Sequence, residues 1–337
     1  MKNITMIKQF FSLLFLVAIC SNVKAQDHIF SQFYNAPMYL NPALTGQFDG
    51  TFRMNMIYRS QWSSIDGKLS YTSVSADFKL PNGSGGVGLL ANSSSEGMAA
   101  LKKNSLSGVY SYIVGDDRFS ASFGVQGGVT NRTMDFSKLV FSDQLDPRLG
   151  FTGTASQAEQ PFNDNKYYFD AGAGANFIVG NFMMGGSLLH LNKPDESFTG
   201  SKVPTPIRTA AYASYKMDIS GNGSQSMLLI PSVVYYNQAK STSMSAGAQF
   251  KYNGVNAGVW YRAGGDYKGD AVVLSFIFDI FTNSNKNQKV RLGFSHDATM
   301  NKLNYGNTSG TSEASVSFET GESREQEFGA GKCYEFY

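Results

Sequence analysis

Histidine and cysteine are the residues most able to do chemistry in this chain, and they are few: three His and two Cys among 337 residues. His296 precedes Asp297, a pairing that could orient an imidazole, but the pattern places no nucleophile beside it. His28 and His190 lie far from this pair in the sequence. We therefore predict no catalytic site, no cofactor and no metal.

Four aspartates could offer the oxygen ligands that Ca²⁺ prefers. Asp143, Asp146 and Asp164 lie in the long connection 132–166, and Asp170 lies just beyond it. Their spacing matches no calcium-binding loop. Two interpretations remain for this connection: an exposed surface-binding loop, or a loop that is free to vary.

Residues 1–25 have the features of a secretory signal peptide. Lys2 and Lys8 provide the positive end, an apolar core runs from Phe10 to Ile19, and Val23-Lys24-Ala25 suits a signal peptidase. A core of about ten residues is too short for a membrane-crossing helix, which needs about 20. We predict cleavage after Ala25 and export from the cytoplasm.

The composition is unlike that of a soluble enzyme. Charged residues make up 16% of the chain and aromatic residues 14%, whereas soluble domains average about 25% charged residues. Residues 1–25 hold three Lys and no acidic residue, so the exported chain keeps 25 of 28 basic and all 26 acidic residues, a net charge of −1. No basic patch for nucleic acid remains. Cys333 would be the only Cys left, which excludes a disulfide within the chain.

Beyond residue 50, apolar residues recur at every second position, which is the period of a β-strand. In 52–59, Phe52, Met54, Met56 and Tyr58 alternate with Arg53, Asn55 and Arg59. Fourteen such segments occur, near 51–62, 69–79, 85–92, 103–114, 117–131, 167–179, 181–191, 207–219, 225–236, 240–252, 254–262, 270–281, 287–297 and 311–320. Most are longer than the five or six residues typical of soluble strands and suit a tilted strand that crosses a bilayer.

Connections between these segments alternate between short and long. Those after even-numbered segments are short and rich in Gly and Asn, for example 221–223, which suits tight hairpins. Those after odd-numbered segments are generally longer, for example 93–102 and 132–166. A barrel with its short turns in the periplasm has this alternation. We predict an all-β fold: a closed antiparallel up-and-down transmembrane β-barrel of about 14 strands over 51–320, because a sheet crosses lipid only when its edges meet.

The alternation weakens in 228–236 and 271–281, where both faces are largely apolar. We expect the barrel wall to contact a plug, a partner or both at these segments. Pro231 lies within one of them and lacks the N–H that a ladder hydrogen bond needs, which predicts a bulge or a local break. Charged side chains at other wall positions are expected to face the lumen: Arg53, Arg59, Lys216, Arg262, Arg291, Glu313 and Glu319.

The most distinctive stretch is 26–46, QDHIFSQFYNAPMYLNPALTG, followed by YRSQW at 58–62. Later pieces come in this order: GGVGLLAN (85–92), SYIVGDDRFSASFGVQGGV (111–129), GGSLLHLNKP (185–194), LIPSVVYY (229–236), GVWYRAG (258–264), FSHD (294–297) and SEASVSF (312–318). Together they resemble the PorP/SprF family, outer-membrane components of the type IX secretion and gliding systems of Bacteroidetes. The chain departs from the family pattern at His28 and Tyr334, where the family commonly has Pro.

The resemblance implies a non-enzymatic barrel in the cell outer membrane that works with periplasmic ring components of the type IX secretion system. It also implies a cognate secreted protein with a type B C-terminal domain, often a large surface adhesin, which the barrel helps to reach or stay on the cell surface. A passive porin or small-solute channel of the same shape is the alternative.

The leader 26–50 is predicted to be either a periplasmic docking strip or a plug that enters the lumen, since its aromatic side chains are too apolar for a solvated linker. Its predicted partner-binding residues are Phe30, Ser31, Gln32, Phe33, Asn35, Tyr39, Asn41, Pro42 and Gly46. Family-motif or lumen candidates are Arg59, Gln61, Trp62 and Arg262. The tail 321–337 is predicted either to bind the ring in the periplasm or to act as an aromatic signal for barrel insertion.

Overall fold

The fold is described from a computed structural model for residues 27–65, 67, 69–81, 84–97, 101–116, 118–157, 164–198, 202–220, 226–265, 268–283, 288–320 and 336. The predicted signal peptide 1–25 lies outside the described residues. The tail 321–337, including Cys333, also lies outside them apart from Phe336.

The described part of the chain forms one closed antiparallel barrel of fourteen strands. Their bounds are β1 Phe52–Gln61, β2 Leu69–Lys79, β3 Gly85–Glu96, β4 Leu101–Gly115, β5 Phe119–Thr133, β8 Asn165–Val179, β9 Phe182–Leu189, β10 Arg208–Tyr215 with its continuation β11 Met217–Asp218, β12 Met227–Gln238, β13 Ser241–Tyr252, β14 Val255–Ala263, β15 Gly269–Asn283, β16 Gln288–Thr299 and β17 Thr311–Thr320. A small hairpin of β6 Leu145–Asp146 and β7 Gly150–Phe151 lies in the connection between β5 and β8. The predicted fold class is confirmed.

Closure is made by the first and last strands. β1 pairs with β17 in continuous register, from Phe52 opposite Thr320 to Gln61 opposite Thr311. The other staves pair antiparallel with their neighbours in chain order. Within the described residues the barrel therefore has no unpaired edge, which is what lets a sheet cross hydrocarbon.

Side chains alternate between the lumen and the outer surface as the sequence predicts. In β1, Arg53 and Arg59 are buried, whereas Met54 and Tyr58 on the opposite face are 44% and 43% exposed. The outer face elsewhere carries apolar side chains such as Phe123, which is 49% exposed. An outward apolar surface of this kind is favourable only against lipid.

One end of the barrel has short turns and the other has longer connections, as predicted. Residues 180–181 and 253–254 join strands at the short-turn end, while 190–207 and 300–310 join them at the opposite end, which we call the outward end. The predicted connection 93–102 is wrong in length, because β3 and β4 stay paired as far as Glu96 opposite Leu101. Residues 93–96 are all polar, so this end of β3 lacks the alternation of apolar and polar residues that indicated the other strands.

Pro231 marks a local break in the wall, as its missing N–H predicts. The ladder between β10 and β12 ends at Ser214 opposite Ser232 and resumes in β11 at Met217 opposite Leu229. On the other side of β12, pairing with β13 runs through Pro231 without a register shift. The break therefore affects one neighbour of the strand only.

The core of the molecule lies inside the barrel, around the leader. The leader forms a 3₁₀ turn at Phe33–Asn35, the short helix α1 at Pro37–Leu40 and a 3₁₀ turn at Pro42–Leu44. Both Pro residues open their turns, where a missing N–H costs nothing, and the Asn41 side chain accepts a hydrogen bond from the Ala43 N–H. Asn41 and Ala43 are fully buried.

The two wall segments with weak alternation pack against the leader. Phe33 and Tyr34 form one apolar cluster with Val234 of β12 and Ile277 of β15. Contact between the wall and the leader at these segments is therefore confirmed. Phe336 belongs to the same cluster and is 3% exposed, although the last strand ends at Thr320. None of the described helices has the length and apolar character needed to span a membrane.

Candidate functional site in the barrel lumen

The leader crosses the whole lumen from the outward end to the short-turn end. Asp27 donates its backbone N–H to Gln238, the last residue of β12 at the outward end. Gly46 packs against Gly86 near the start of β3, at the short-turn end. Thr51 then hydrogen-bonds to Thr320 and leads into β1. The leader, which precedes the first strand in the sequence, therefore lies inside the barrel.

A cluster of buried charges fastens the middle of the leader to the wall. We call Ser31, Arg59, Arg262, Asp297 and Glu313 the central ion cluster. The Ser31 hydroxyl donates to Asp297 Oδ2 at 2.7 Å, and Arg262 Nη1 lies 2.8 Å from the same oxygen. Arg59 pairs with Glu313, and its Nη1 lies 3.3 Å from Asp297 Oδ2. The Arg and acidic side chains come from four different strands, so the leader ties together separate parts of the wall.

Gln32 extends this attachment with hydrogen bonds to both backbone and side chains. Its backbone N–H donates to Glu313 Oε2 at 2.9 Å, and its Nε2 donates to Ser295 Oγ at 3.1 Å. Asn35 Nδ2 donates both to Gln32 Oε1 at 2.9 Å and to Ser315 Oγ at 3.0 Å. Burying an amide group is costly unless it is hydrogen-bonded. These hydrogen bonds therefore favour one position of the leader in the lumen.

Glycines in the wall allow the leader to approach closely. A Cβ added at any of five inward positions would overlap leader atoms: Gly86, Gly88, Gly124, Gly174 and Gly293. At Gly124 the overlap is with the backbone of Pro42 and Ala43. Backbone cannot move aside as a flexible side chain can, so this glycine is required by the leader and not by the strand.

Arg53 and Asp77 anchor the leader at the short-turn end. Their side chains form a bidentate pair, with Nε–Oδ1 at 3.0 Å and Nη2–Oδ2 at 2.8 Å. Asp77 Oδ2 also accepts the Gly46 N–H at 2.7 Å, and Arg53 Nη2 donates to the Leu44 carbonyl at 3.2 Å. The Phe48 ring covers the guanidinium at 4.7 Å. Paired charges and leader backbone thus satisfy one another away from water.

The outward end of the leader is held by ionic contacts around Asp27. Its Oδ2 hydrogen-bonds to His190 Nε2, and its Oδ1 lies 3.1 Å from Lys103 Nζ. Asp170 Oδ2 makes a 2.9 Å ion-pair contact with Nδ1 of the same imidazole. Burial lowers the pKa of His190, but Asp27 and Asp170 outweigh it and raise that pKa to about 9. Burial likewise opposes ionisation of Asp27, but Lys103 and His190 hold its pKa well below the usual range.

The connection 190–207, described at 190–198 and 202–207, contacts this end and is called the outer lid. Glu196 of the lid contacts Lys103 Nζ at 2.9 Å and accepts the Tyr168 hydroxyl at 2.6 Å. Arg132 Nη1 donates to the Glu196 carbonyl at 2.7 Å. Burial raises the pKa of Glu196, but Lys103 and Tyr168 outweigh it and lower that pKa. Lys103 therefore links Glu196 of the lid to Asp27 at the start of the leader.

The sequence profile of the type IX secretion system membrane protein family PorP/SprF matches residues 22–318. The chain belongs to this family. The predicted resemblance is confirmed, and this PorP/SprF protein is an outer-membrane component of the type IX secretion system. No curated protein matches the chain significantly.

Several solved outer-membrane barrels are similar to it in outline. The Ralstonia pickettii toluene transporter TbuX has 10% identity over 86% of this chain and 94% of its own, with a TM-score of 0.48. The Pseudomonas putida toluene transporter TodX has 11% identity over 85% and 93%, with a TM-score of 0.45. The Acinetobacter baumannii outer membrane protein Omp33 has 7% identity over 81% and 98%, with a TM-score of 0.40.

The partner-binding candidates of the leader are all buried in this PorP/SprF barrel. Each of Phe30, Ser31, Gln32, Phe33, Asn35, Tyr39, Asn41, Pro42 and Gly46 lies in the lumen. Their role in binding a partner remains a prediction. Gln61 Oε1 accepts from Arg59 Nη2 at 3.3 Å, and Trp62 has φ 57° where its N–H donates to Gly310. Gln61 therefore lies beside the central ion cluster, whereas Trp62 follows the end of β1 and contacts the connection 300–310.

The residues that suggested chemistry have other surroundings. Asp297 lies in the lumen, while the adjacent His296 points to the opposite face and contacts Ser312 and Tyr305. Asp143 accepts the Gln157 N–H and the Ser156 hydroxyl, which lower its pKa. In the described part of the chain, no group of three or more His, Cys, Asp or Glu could hold a metal ion.

Sequence reasoning missed several residues that hold the leader. Asp77 was detectable, because it faces inward and stands opposite Arg53 in the β1–β2 register. Asp27, Lys103 and His190 gave no such signal, since they come from unconnected parts of the chain. Their meeting depends on the route that the leader takes through the lumen.

Proposed function

We propose that this protein is a non-enzymatic component that helps to secrete or anchor a cognate surface protein through protein–protein contacts. The observation that carries the proposal is the filled lumen of a PorP/SprF barrel. Leader residues from Phe30 to Phe48 are almost all buried and are fastened at both ends and in the middle. A barrel filled by its own chain is suited to presenting surfaces, since its lumen offers no wide path to solutes.

The alternative of a passive porin is disfavoured by the same packing. Two cavities in the lumen measure about 70 Å³ and 20 Å³, which is room for a few water molecules. Conduction would require the leader to leave, and this would expose the buried charges of the central ion cluster. We expect purified protein in planar bilayers to show no steady open-pore current, and a steady current from the intact chain would contradict the proposal.

The outward connections are the proposed contact surface for the secreted protein. The hairpin β6–β7 exposes apolar side chains, with Leu149 82% and Phe151 58% exposed. The connection that holds it follows β5, a fifteen-residue strand that is longer than a bilayer crossing needs. Exposed apolar groups outside the lipid are characteristic of protein-binding sites. The short turns at the other end are the proposed surface for the periplasmic ring components.

A disulfide lock tests whether the leader works in place. Asn35 Nδ2 and Ser315 Oγ are 3.0 Å apart, so Asn35→Cys with Ser315→Cys in a Cys333→Ser background is the pair chosen to link leader and wall, and titration of free thiols checks that the disulfide forms. We expect the locked barrel to support normal exposure of its client on intact cells, measured by protease accessibility. The matched control is the same double variant kept reduced.

The disulfide lock tests whether the leader must move, and deletion of the gene distinguishes a role in secretion from a role as a channel. Loss of client exposure upon oxidation alone would show that the leader must move, against the proposed static scaffold. Deleting the gene should abolish client exposure while leaving solute uptake unchanged. The opposite pattern would support the channel.

A further inference from the structure

A small cavity lies in the outward half of the lumen, between the start of the leader and the wall of β3, β4 and β5. Its volume is about 70 Å³. A water-sized group needs about 10–15 Å³ on this measure, so the cavity holds roughly five such groups. No residue of the central ion cluster lines it. The cavity is therefore separate from the contacts that fasten the middle of the leader.

Buried polar atoms without hydrogen-bond partners converge on this cavity. Six of its lining residues each carry one: His28 Nε2, Asn92 Oδ1, Gln126 Oε1, Asp170 Oδ1, His190 Nδ1 and Arg208 Nη2. Of these, His190 Nδ1 has the ion-pair contact with Asp170 described above. Three of these atoms are acceptors that need a donor, and Arg208 Nη2 is a donor that needs an acceptor. Unsatisfied buried groups are rare in folded proteins and call for an explanation.

Arg208 gives the most specific requirement. It is 3% exposed, and its guanidinium lies 4.5 Å from the centroid of the Tyr39 ring and 5.2 Å from that of Tyr236. Among the described residues no carboxylate forms an ion pair with it. Asp27 influences it electrostatically but is already bound by Lys103 and His190. A guanidinium buried without an anion is strongly unfavourable, so an anionic group is expected in the cavity.

The other charges in the lining limit the ligand further. Three acidic side chains, Asp27, Glu96 and Asp170, face three basic ones, Lys103, His190 and Arg208. The lining is therefore close to neutral when His190 is protonated, and a simple anion would leave it unbalanced. A ligand that carries one negative and one positive group satisfies both Arg208 and the orphan oxygens.

We propose that this cavity binds a small zwitterion, a free α-amino acid about the size of glycine. Its carboxylate would accept hydrogen bonds from Arg208, and its ammonium group would donate to Asn92, Gln126 and Asp170. Glycine has five non-hydrogen atoms, which matches the room available. The inference is independent of the proposed role in secretion.

Equilibrium dialysis of the purified full-length exported chain in detergent, with radiolabelled glycine, tests this site. We expect saturable binding of one glycine per chain. Acetate and methylammonium, which each carry half of the zwitterion, should compete at least tenfold more weakly than unlabelled glycine. Absence of saturable glycine binding would overturn the proposal in favour of water alone, and acetate competing as well as glycine would overturn it in favour of a simple anion site.

Variants locate the binding. Arg208→Gln and Asn92→Leu should each weaken glycine binding at least tenfold. Asn256→Leu is the matched control, since Asn256 is 1% exposed with unpartnered amide atoms but does not line this cavity. Folding of each variant is checked by its migration on gels before and after heating. If Arg208→Gln fails to fold, Asn92→Leu decides, and unchanged binding in that variant would refute the site.

Discussion

The backbone N–H of Ser31 donates a 2.7 Å hydrogen bond to the Glu313 carboxylate across 282 positions of the chain. Ser31 lies in the leader and Glu313 in the last strand, which also pairs with the first strand to close the barrel. Glu313 is therefore shared by two events, the seating of the leader and the closure of the wall. This relationship makes the leader part of the core of the barrel and not an appendage.

Removing the charge of Glu313 should destabilise the barrel strongly. Glu313→Gln leaves Arg59 buried with a weakened partner, and breaking a buried pair typically costs about 3–5 kcal/mol. The free energy of unfolding can be followed in detergent by the gel migration of folded and unfolded protein. Asp143→Asn, in an exposed loop, is the control and should be nearly neutral. A Glu313→Gln barrel as stable as wild type would show that the ion cluster is unimportant for folding.

A side chain at Gly124 should displace the leader. In Gly124→Val the new Cβ overlaps the backbone of Pro42 and Ala43, so we expect open-pore currents in planar bilayers where wild type is silent. Gly108→Val is the matched control, because a Cβ there has no neighbour closer than 4.0 Å. A silent and stable Gly124→Val barrel would contradict the tight fit described for this strand.

The stability of the leader attachment should fall at alkaline pH. The pKa of His190 is raised from 6.5 to about 9, so its ionic contribution is fully present below about 6.5 and is lost as the pH rises through about 9. The difference corresponds to at most roughly 3 kcal/mol. We expect the unfolding midpoint to drop between pH 7 and pH 10. His190→Gln should remove most of this dependence, and an equal drop in both proteins would assign it to other groups.

The outer lid should open when its buried contact is weakened. Glu196→Gln reduces the attraction to Lys103 and Arg132, so trypsin should cut after the exposed Lys202 of the lid several-fold faster. Performed on intact cells, the same cleavage reports whether the lid faces the exterior. Asp146→Asn, outside the lid, serves as control. Protection of Lys202 on intact cells but not on opened ones would place the lid in the periplasm.

The barrel itself could be predicted from the sequence because its signals are local. Alternation in β1, for example, follows from lipid on one side of each strand and polar groups on the other. Turn residues between strands and the missing N–H of Pro231 are equally local. The weak alternation in β12 and β15 even indicated where an apolar plug would press against the wall. The largest shortfall was at 93–96, where four polar residues continue β3 beyond the predicted segment.

The contacts that fill the barrel required the tertiary structure. The sequence does not indicate that Ser31 contacts Glu313 or that Asp27 contacts His190. An inward-facing polar residue gives the same alternating pattern whether water or protein lies beside it. The path of the leader through the lumen decides which of these groups are in contact. Because the groups are buried, these contacts contribute strongly to stability. The sequence of each segment is thus enough to identify a strand, whereas the position of the leader depends on all fourteen strands together.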